Sequence, residues 1–236
     1  LTVTDKGPRT YVFNVEYSNA NTRGEIVTRQ RLIGEYTRGL PDHQVAWSHV
    51  TLEEASGPSG PYGAPKKREF LEGFHYRNDL GITLQPDFFK TFPPDAVIDR
   101  NLIWDTGMIE LYGQTQFEHL QLNVPFSYIS NDNTKMPELG TFNNRNVVLE
   151  WVGNSQRNGQ PCAVITYKAF FNDLDIKVGV KLKGRSNYWG EIWVSLKSKQ
   201  IEFSTLYEDV LGELTLPGQD SMQVINVLRS ATFSPK

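Results

Sequence analysis

Apolar and polar residues alternate with period two along most of the chain, a pattern that predicts antiparallel strands with one dry and one wet face. Tyr11, Phe13, Val15 and Tyr17 share one side of the first segment, with Asn14 and Glu16 between them. A longer, more polar run over residues 24–36 reads as a strand with a solvated outer face, and 44–53 and 69–77 are the next two candidates. The C-terminal half is clearer. Segments 147–152 and 163–171 are strands joined across Asn158-Gly159, a hairpin signal because both residues accept positive φ. Ile176, Val178, Val180 and Leu182 alternate with Lys177, Gly179, Lys181 and Lys183, and segments 188–196, 201–207, 210–216 and 222–233 extend the meander.

Two stretches break the pattern. Residues 56–65 (SGPSGPYGAP) combine glycine and proline and end regular structure there, as a mobile surface loop or as a lid over a site. Residues 86–92 fit one helical turn. From Ile103 the spacing is ambiguous: Trp104, Thr106 and Met108 fit a strand, whereas Met108, Leu111 and Tyr112 fit a helix face. A strand is expected in the first half of that segment, with helix left open in the second. No internal repeat or linker divides residues 1–236, so the expected fold is mainly β: a single domain built on one large curved antiparallel sheet or open half-barrel with one or two short helices.

Charge and composition narrow the function. With 24 Lys+Arg against 27 Asp+Glu, the net charge of -3 gives no basic footprint for nucleic acid. No apolar run reaches the ~18 residues of a membrane-spanning helix. Cys162 is the only cysteine, in an apolar, β-prone setting, so it reads as a small core residue and excludes an intramolecular disulfide. The chain opens on Leu1 and not on Met, as expected after removal of a secretion signal and equally of a trimmed chain; the absence of Asn-x-Ser/Thr acceptors favours a bacterial source.

Catalytic signatures are missing. His43, His49, His75 and His119 are scattered without metal-ligand spacing, and nucleophile-elbow, phosphate-loop and dinucleotide motifs are absent, so no cofactor is expected. One strand does carry possible chemistry. Trp189, Glu191 and Trp193 share a face, opposite Tyr188, Ile192 and Val194. An acid between two indoles suits a sugar cleft, with Glu202, Glu208 or Glu213 as a second carboxyl for glycoside hydrolysis. The same side chains could instead cover the outside of a sheet, with Glu191 paired to Lys197 or Lys199. More broadly, the 5 Trp, 10 Tyr and 13 Phe fall on nearly every expected strand and either fill a core or line a cavity for an apolar ligand. The candidate ligand contacts are therefore Trp104, Trp151, Trp189, Glu191 and Trp193.

Three stretches together resemble LolA/LppX-type half-barrel domains of the bacterial envelope. They are Phe92-Pro93-Pro94-Asp95-Ala96-Val97 followed by Trp104-Asp105; Val148 to Gly153 with Asn158-Gly159 and Ala163-Val164-Ile165; and Gly184 to Leu196 with Lys197-Ser198-Lys199-Gln200 and Ile201-Glu202-Phe203. The last turn lacks the Asp and Gly usual in that pattern, and no lipobox cysteine is present. The resemblance implies a half-barrel plugged by helices, in the periplasm or on the cell surface, that holds a lipid or acyl chain and has no catalytic residue. The alternative from the residues themselves is a carbohydrate-active β-sandwich, either binding module or hydrolase, built on Glu191, Trp189 and Trp193. A third reading is a scaffold domain whose edge strands pair with a partner chain.

Overall fold

Alternation becomes one sheet of thirteen strands, in which all named pairings are antiparallel. The computed structural model describes residues 8–77, 92–93, 96–128, 134–136, 140–177, 181–215 and 222–236. The strands are β1 (Arg9–Ala20), β2 (Ile26–Leu40), β3 (Gln44–Glu54), β4 (Lys66–Lys67), β5 (His75–Arg77), β6 (Phe126–Tyr128), β7 (Thr134–Met136), β8 (Gly140–Asn143), β9 (Val147–Arg157), β10 (Gln160–Ile176), β11 (Lys181–Ser195), β12 (Ile201–Thr215) and β13 (Met222–Pro235). Their order is β4-β3-β2-β1-β13-β12-β11-β10-β8-β7, so the first and last long strands pair at the centre and the two ends do not meet. Strand β5 shares the outer edge of β3 with β4, and β9 shares the outer edge of β10 with β8. The fold is thus the expected mainly β one, with a large open antiparallel sheet.

Cross-strand register explains which residues are dry. Tyr11, Phe13, Val15 and Tyr17 face inward on β1 and stand opposite Tyr36, Gly34, Leu32 and Gln30 on β2. The same rows continue through Phe233, Ala231 and Arg229 on β13 to Ser204, Leu206 and Glu208 on β12. Aromatic contacts knit them together: Trp47 meets Phe13 edge-on at 5.4 Å and Tyr36 at 4.8 Å. At the expected hairpin Asn158 and Gly159 both take positive φ, 50° and 72°, joining β9 to β10 by a two-residue turn.

Several expectations change. The segment around Trp104 is not a strand: helix α1 spans Val97–Glu110 and continues as a π-type turn over Leu111–Thr115. Its period is hard to read because it lies against the inner face and buries acids along with apolar side chains. Asp99 and Asp105 are buried beside Leu102, Ile103 and Ile109. No side chain caps its N-terminus at Ala96, so the usual start signal is missing too. Segments 201–207 and 210–216 are one strand, β12, rather than two. Ile176 and Leu182 are cross-strand partners on β10 and β11 rather than neighbours on one strand; Val178 and Val180 lie outside the described residues. Segment 69–77 is a 3-10 turn followed by the short β5. The helical turn expected at 86–92 falls outside the described residues except for Phe92.

The residue 56–65 segment is docked on the sheet. Arg29 Nη2 donates to Gly60 O at 2.7 Å, and the Tyr62 ring lies under the Arg31 and Arg29 guanidinium groups at 4.1 and 5.1 Å. The Tyr62 hydroxyl donates to Glu16 Oε2 at 2.5 Å, which ties the loop to the outer face of β1.

Length decides how much of the inner face α1 can cover. The 15-residue strands β11 and β12 each run ~50 Å at ~3.3 Å per residue, whereas the 14 residues of α1 rise only ~21 Å. At one end Val97 packs on the aliphatic cluster that contains Val210 and Leu182. At the other end Gly113 approaches so closely that a Cβ there would stand 2.8 Å from Ile192 Cγ2.

Candidate functional site

Helix α1 is positioned by acids that meet basic side chains from the sheet and the segment before it. Near its start, Asp99 accepts a two-point bond from Arg68, at 2.9 and 2.6 Å. Near its end, Glu110 accepts from Tyr36 Oη at 2.5 Å and lies 3.2 Å from Arg38 Nε. Between them Arg229 of β13 bridges Asp105 of the helix, at 3.0 Å, and Glu208 of β12, at 2.6 Å. Ser186 Oγ donates to the other oxygen of Glu208 at 2.5 Å. Two carboxylates therefore share one guanidinium inside the protein. Burial pushes the Asp105 carboxyl up to about 7; Arg229 opposes that rise and Glu208 adds to it. Burial pulls Arg229 down, but Asp105, Glu208 and Tyr17 outweigh it and hold the guanidinium well above its ordinary value.

On either side of this triad the inner face differs in chemistry. Toward the C-terminal end of α1 it is tyrosine-rich: Tyr112 exchanges a 2.9 Å hydrogen bond with Tyr188, and Tyr167 donates to Thr205 O at 2.7 Å. Burial raises all three hydroxyls. Toward Val97 it is aliphatic, with Leu174, Ile176, Leu182 and Val210 at its centre and Leu214, Ile225 and Val227 half-buried around them. These four keep 6–8% exposure, as Leu52, Tyr76 and Leu120 do at the margin of the main core.

The five sequence-derived contacts do not converge. Trp104, on α1, is half-buried and touches both the main core and the aliphatic end. Trp151, on β9, packs on the core with its ring 5.5 Å from Phe117, and its indole N–H donates to Gly153 O and Asn154 Oδ1 at 2.9 and 3.1 Å. Trp189, Glu191 and Trp193 share the opposite, outer face of β11, as their alternation with buried Tyr188, Ile192 and Val194 requires.

There the glycosidase geometry does not form. Glu191 Oε1 accepts from Trp193 Nε1 at 2.9 Å, and neither Lys197 nor Lys199 takes it in an ion pair. Glu202 is buried and held by Arg9 at 3.1 and 2.7 Å, and Glu208 belongs to the inner triad. Glu213 shares the outer face, but it lies eight residues along β12 from Thr205, the partner of Glu191, or ~26 Å at strand rise. Catalytic pairs need roughly 5–9.5 Å. Among the described residues no group of three or more His, Cys, Asp or Glu side chains could hold a metal ion, and no helix is long and apolar enough to cross a membrane.

Asp105 and Arg229 were missed as site residues, and Glu208 was considered only as a second glycosidase carboxyl, although strand parity offered a signal for Glu208 and Arg229. Arg229 falls in step with buried Ala231 and Phe233, and Glu208 with Ser204 and Leu206, so both must point inward. No family model matches the chain, and no curated protein matches it. Among solved structures, one titled for lipid–protein interactions in lipovitellin is similar over 97% of this chain and 25% of its own, at 13% identity and a TM-score of 0.48. The chain thus spans about a quarter of that protein's length, and at this distance the likeness has no functional weight.

Proposed function

We propose that this chain is a non-enzymatic half-barrel domain of the bacterial envelope that binds a lipid-like or other apolar ligand at the aliphatic end of its inner face. The carrying observation is the aliphatic cluster of Leu174, Ile176, Leu182 and Val210 on the inner face, with Leu214, Ile225, Val227 and Trp104 half-buried around it. Aliphatic walls without fixed donors suit a flexible apolar chain, which gains by area removed from water and needs no directional partner. The buried acid–arginine contacts suit the same role. Buried ion pairs add little net stability but fix position, so they hold α1 in place on the inner face. The envelope setting rests on the LolA/LppX-type resemblance.

Titration with a dansyl-labelled undecanoic acid tests this reading. A saturable rise in dansyl fluorescence is expected, reversed by unlabelled palmitate. Ile225→Glu places a charge on the aliphatic wall at a half-buried position and should weaken binding at least tenfold, since desolvating a carboxylate beside an acyl chain is strongly unfavourable. An unchanged signal, or equal affinity in wild type and Ile225→Glu, counts against the site.

A further inference from the structure

The outer face of the sheet carries a second constellation. Trp189 of β11 and Tyr207 of β12 are cross-strand partners whose rings stack at 6.0 Å with only 25° between their planes. Both are over 40% exposed. Next to them Phe170 lies 6.4 Å from Trp189 on a bulge of β10, where Phe171 takes a φ of 60°. That conformation is unfavourable for a bulky residue, and Asn187 and Arg185 hold its backbone N–H and carbonyl in place.

A depression of about 220 Å³ opens beside the two rings, walled by Glu16, Ser18, Trp189, Tyr207, Leu228 and Ser230, with Glu208 and Arg229 of the buried triad reaching its floor. Register gives its width: Tyr207 pairs with Ser230, which pairs with Glu16, so aromatic wall and carboxylate stand two strand spacings apart, ~9.6 Å. Ser230 is the small residue between them. On the far side the docked Tyr62 fixes Glu16, so the Gly/Pro segment forms part of the same neighbourhood.

We propose that this depression binds a neutral sugar ring of a glycan. The apolar C–H face of a pyranose stacks on the aromatic ledge of Trp189 and Tyr207, while its hydroxyls reach the Glu16 carboxylate and the Ser18 and Ser230 hydroxyls. An apolar wall with a few placed polar groups at single-ring width matches that chemistry. It does not match a bilayer or a broad protein interface, because the apolar positions farther along this face alternate with charge. Leu211 stands beside Arg185 and Val224 beside Glu213, which leaves single side chains rather than a continuous patch. No hydrolysis is assigned to the site, and it is independent of the ligand proposed for the inner face.

Saturation-transfer NMR with cellohexaose, maltohexaose, chitohexaose and mannohexaose tests the proposal, with polygalacturonate oligomers and phosphatidylglycerol vesicles as contrasting probes. At least one neutral hexaose is expected to show transfer. Trp189→Ala and Tyr207→Ala should each weaken it tenfold or more while leaving the circular dichroism spectrum and melting temperature close to wild type, as both side chains are exposed. Glu16→Gln, which keeps an acceptor for Tyr62, should weaken it less. Transfer from no neutral glycan, binding that survives both aromatic substitutions, or binding only to the acidic oligomers or the vesicles would overturn it.

Discussion

Replacing Arg229 by methionine is expected to lower the unfolding free energy by about 3–5 kcal/mol, the usual result of leaving a buried charge without its partner. Two carboxylates depend on this one guanidinium, Asp105 at 3.0 Å and Glu208 at 2.6 Å, and all three side chains are largely shielded from solvent. Methionine keeps much of the volume but neutralises neither acid. The pair is not intrinsically strengthening, however. Removing every charge at once, as Arg229→Met with Asp105→Asn and Glu208→Gln, should recover most of the loss, since the desolvation penalty disappears along with the attraction. Urea unfolding followed by circular dichroism measures both. A loss below about 1 kcal/mol in the single variant would mean that water reaches the acids, as at surface ion pairs.

A second large effect is the pH dependence of stability. The folded-state pKa of Asp105 lies at about 7, above its ordinary value of 3.8, so between those values the folded chain holds a proton that the unfolded chain releases. Stability from this group is therefore greatest at low pH and is lost as pH rises through about 7. Going from pH 7.5 to 5.5 should raise the unfolding free energy by about 2 kcal/mol, at 1.36 kcal/mol per pKa unit. Arg229 stays charged throughout. Glu35 and Glu54, whose pKa values are lowered by Lys236 and Lys66, are ionised in both states over that window and do not oppose the trend. Asp105→Asn should flatten the curve. A stability that falls on acidification over the same interval, or a slope unchanged in Asp105→Asn, contradicts the triad.

How much of this was legible in the sequence depended on the kind of signal. Strand alternation is local, so Tyr11 to Tyr17 and Tyr188 to Val194 could be assigned to faces directly, and Asn158-Gly159 stated its own turn. The pairing of the first strand with the last is set by contacts far apart in sequence and left no local trace. Helix α1 differs from the expected strand for a physical reason: it buries Asp99 and Asp105 against Arg68 and Arg229, which blurs the apolar stripe that marks an ordinary surface helix. For the five aromatic and acidic candidates, sequence could not show that Trp104 and Trp151 lie on the side of the core while Trp189, Glu191 and Trp193 lie outside it. Tyr207 became visible as a partner of Trp189 only through register.

The central claim concerns the aliphatic end of the inner face, and native mass spectrometry of protein isolated without detergent or denaturant addresses it most directly. The account predicts a bound species with the mass of an acyl-chain compound, removable by organic extraction, restored by added palmitate and absent from Ile225→Glu. Bare polypeptide before and after palmitate addition would contradict it.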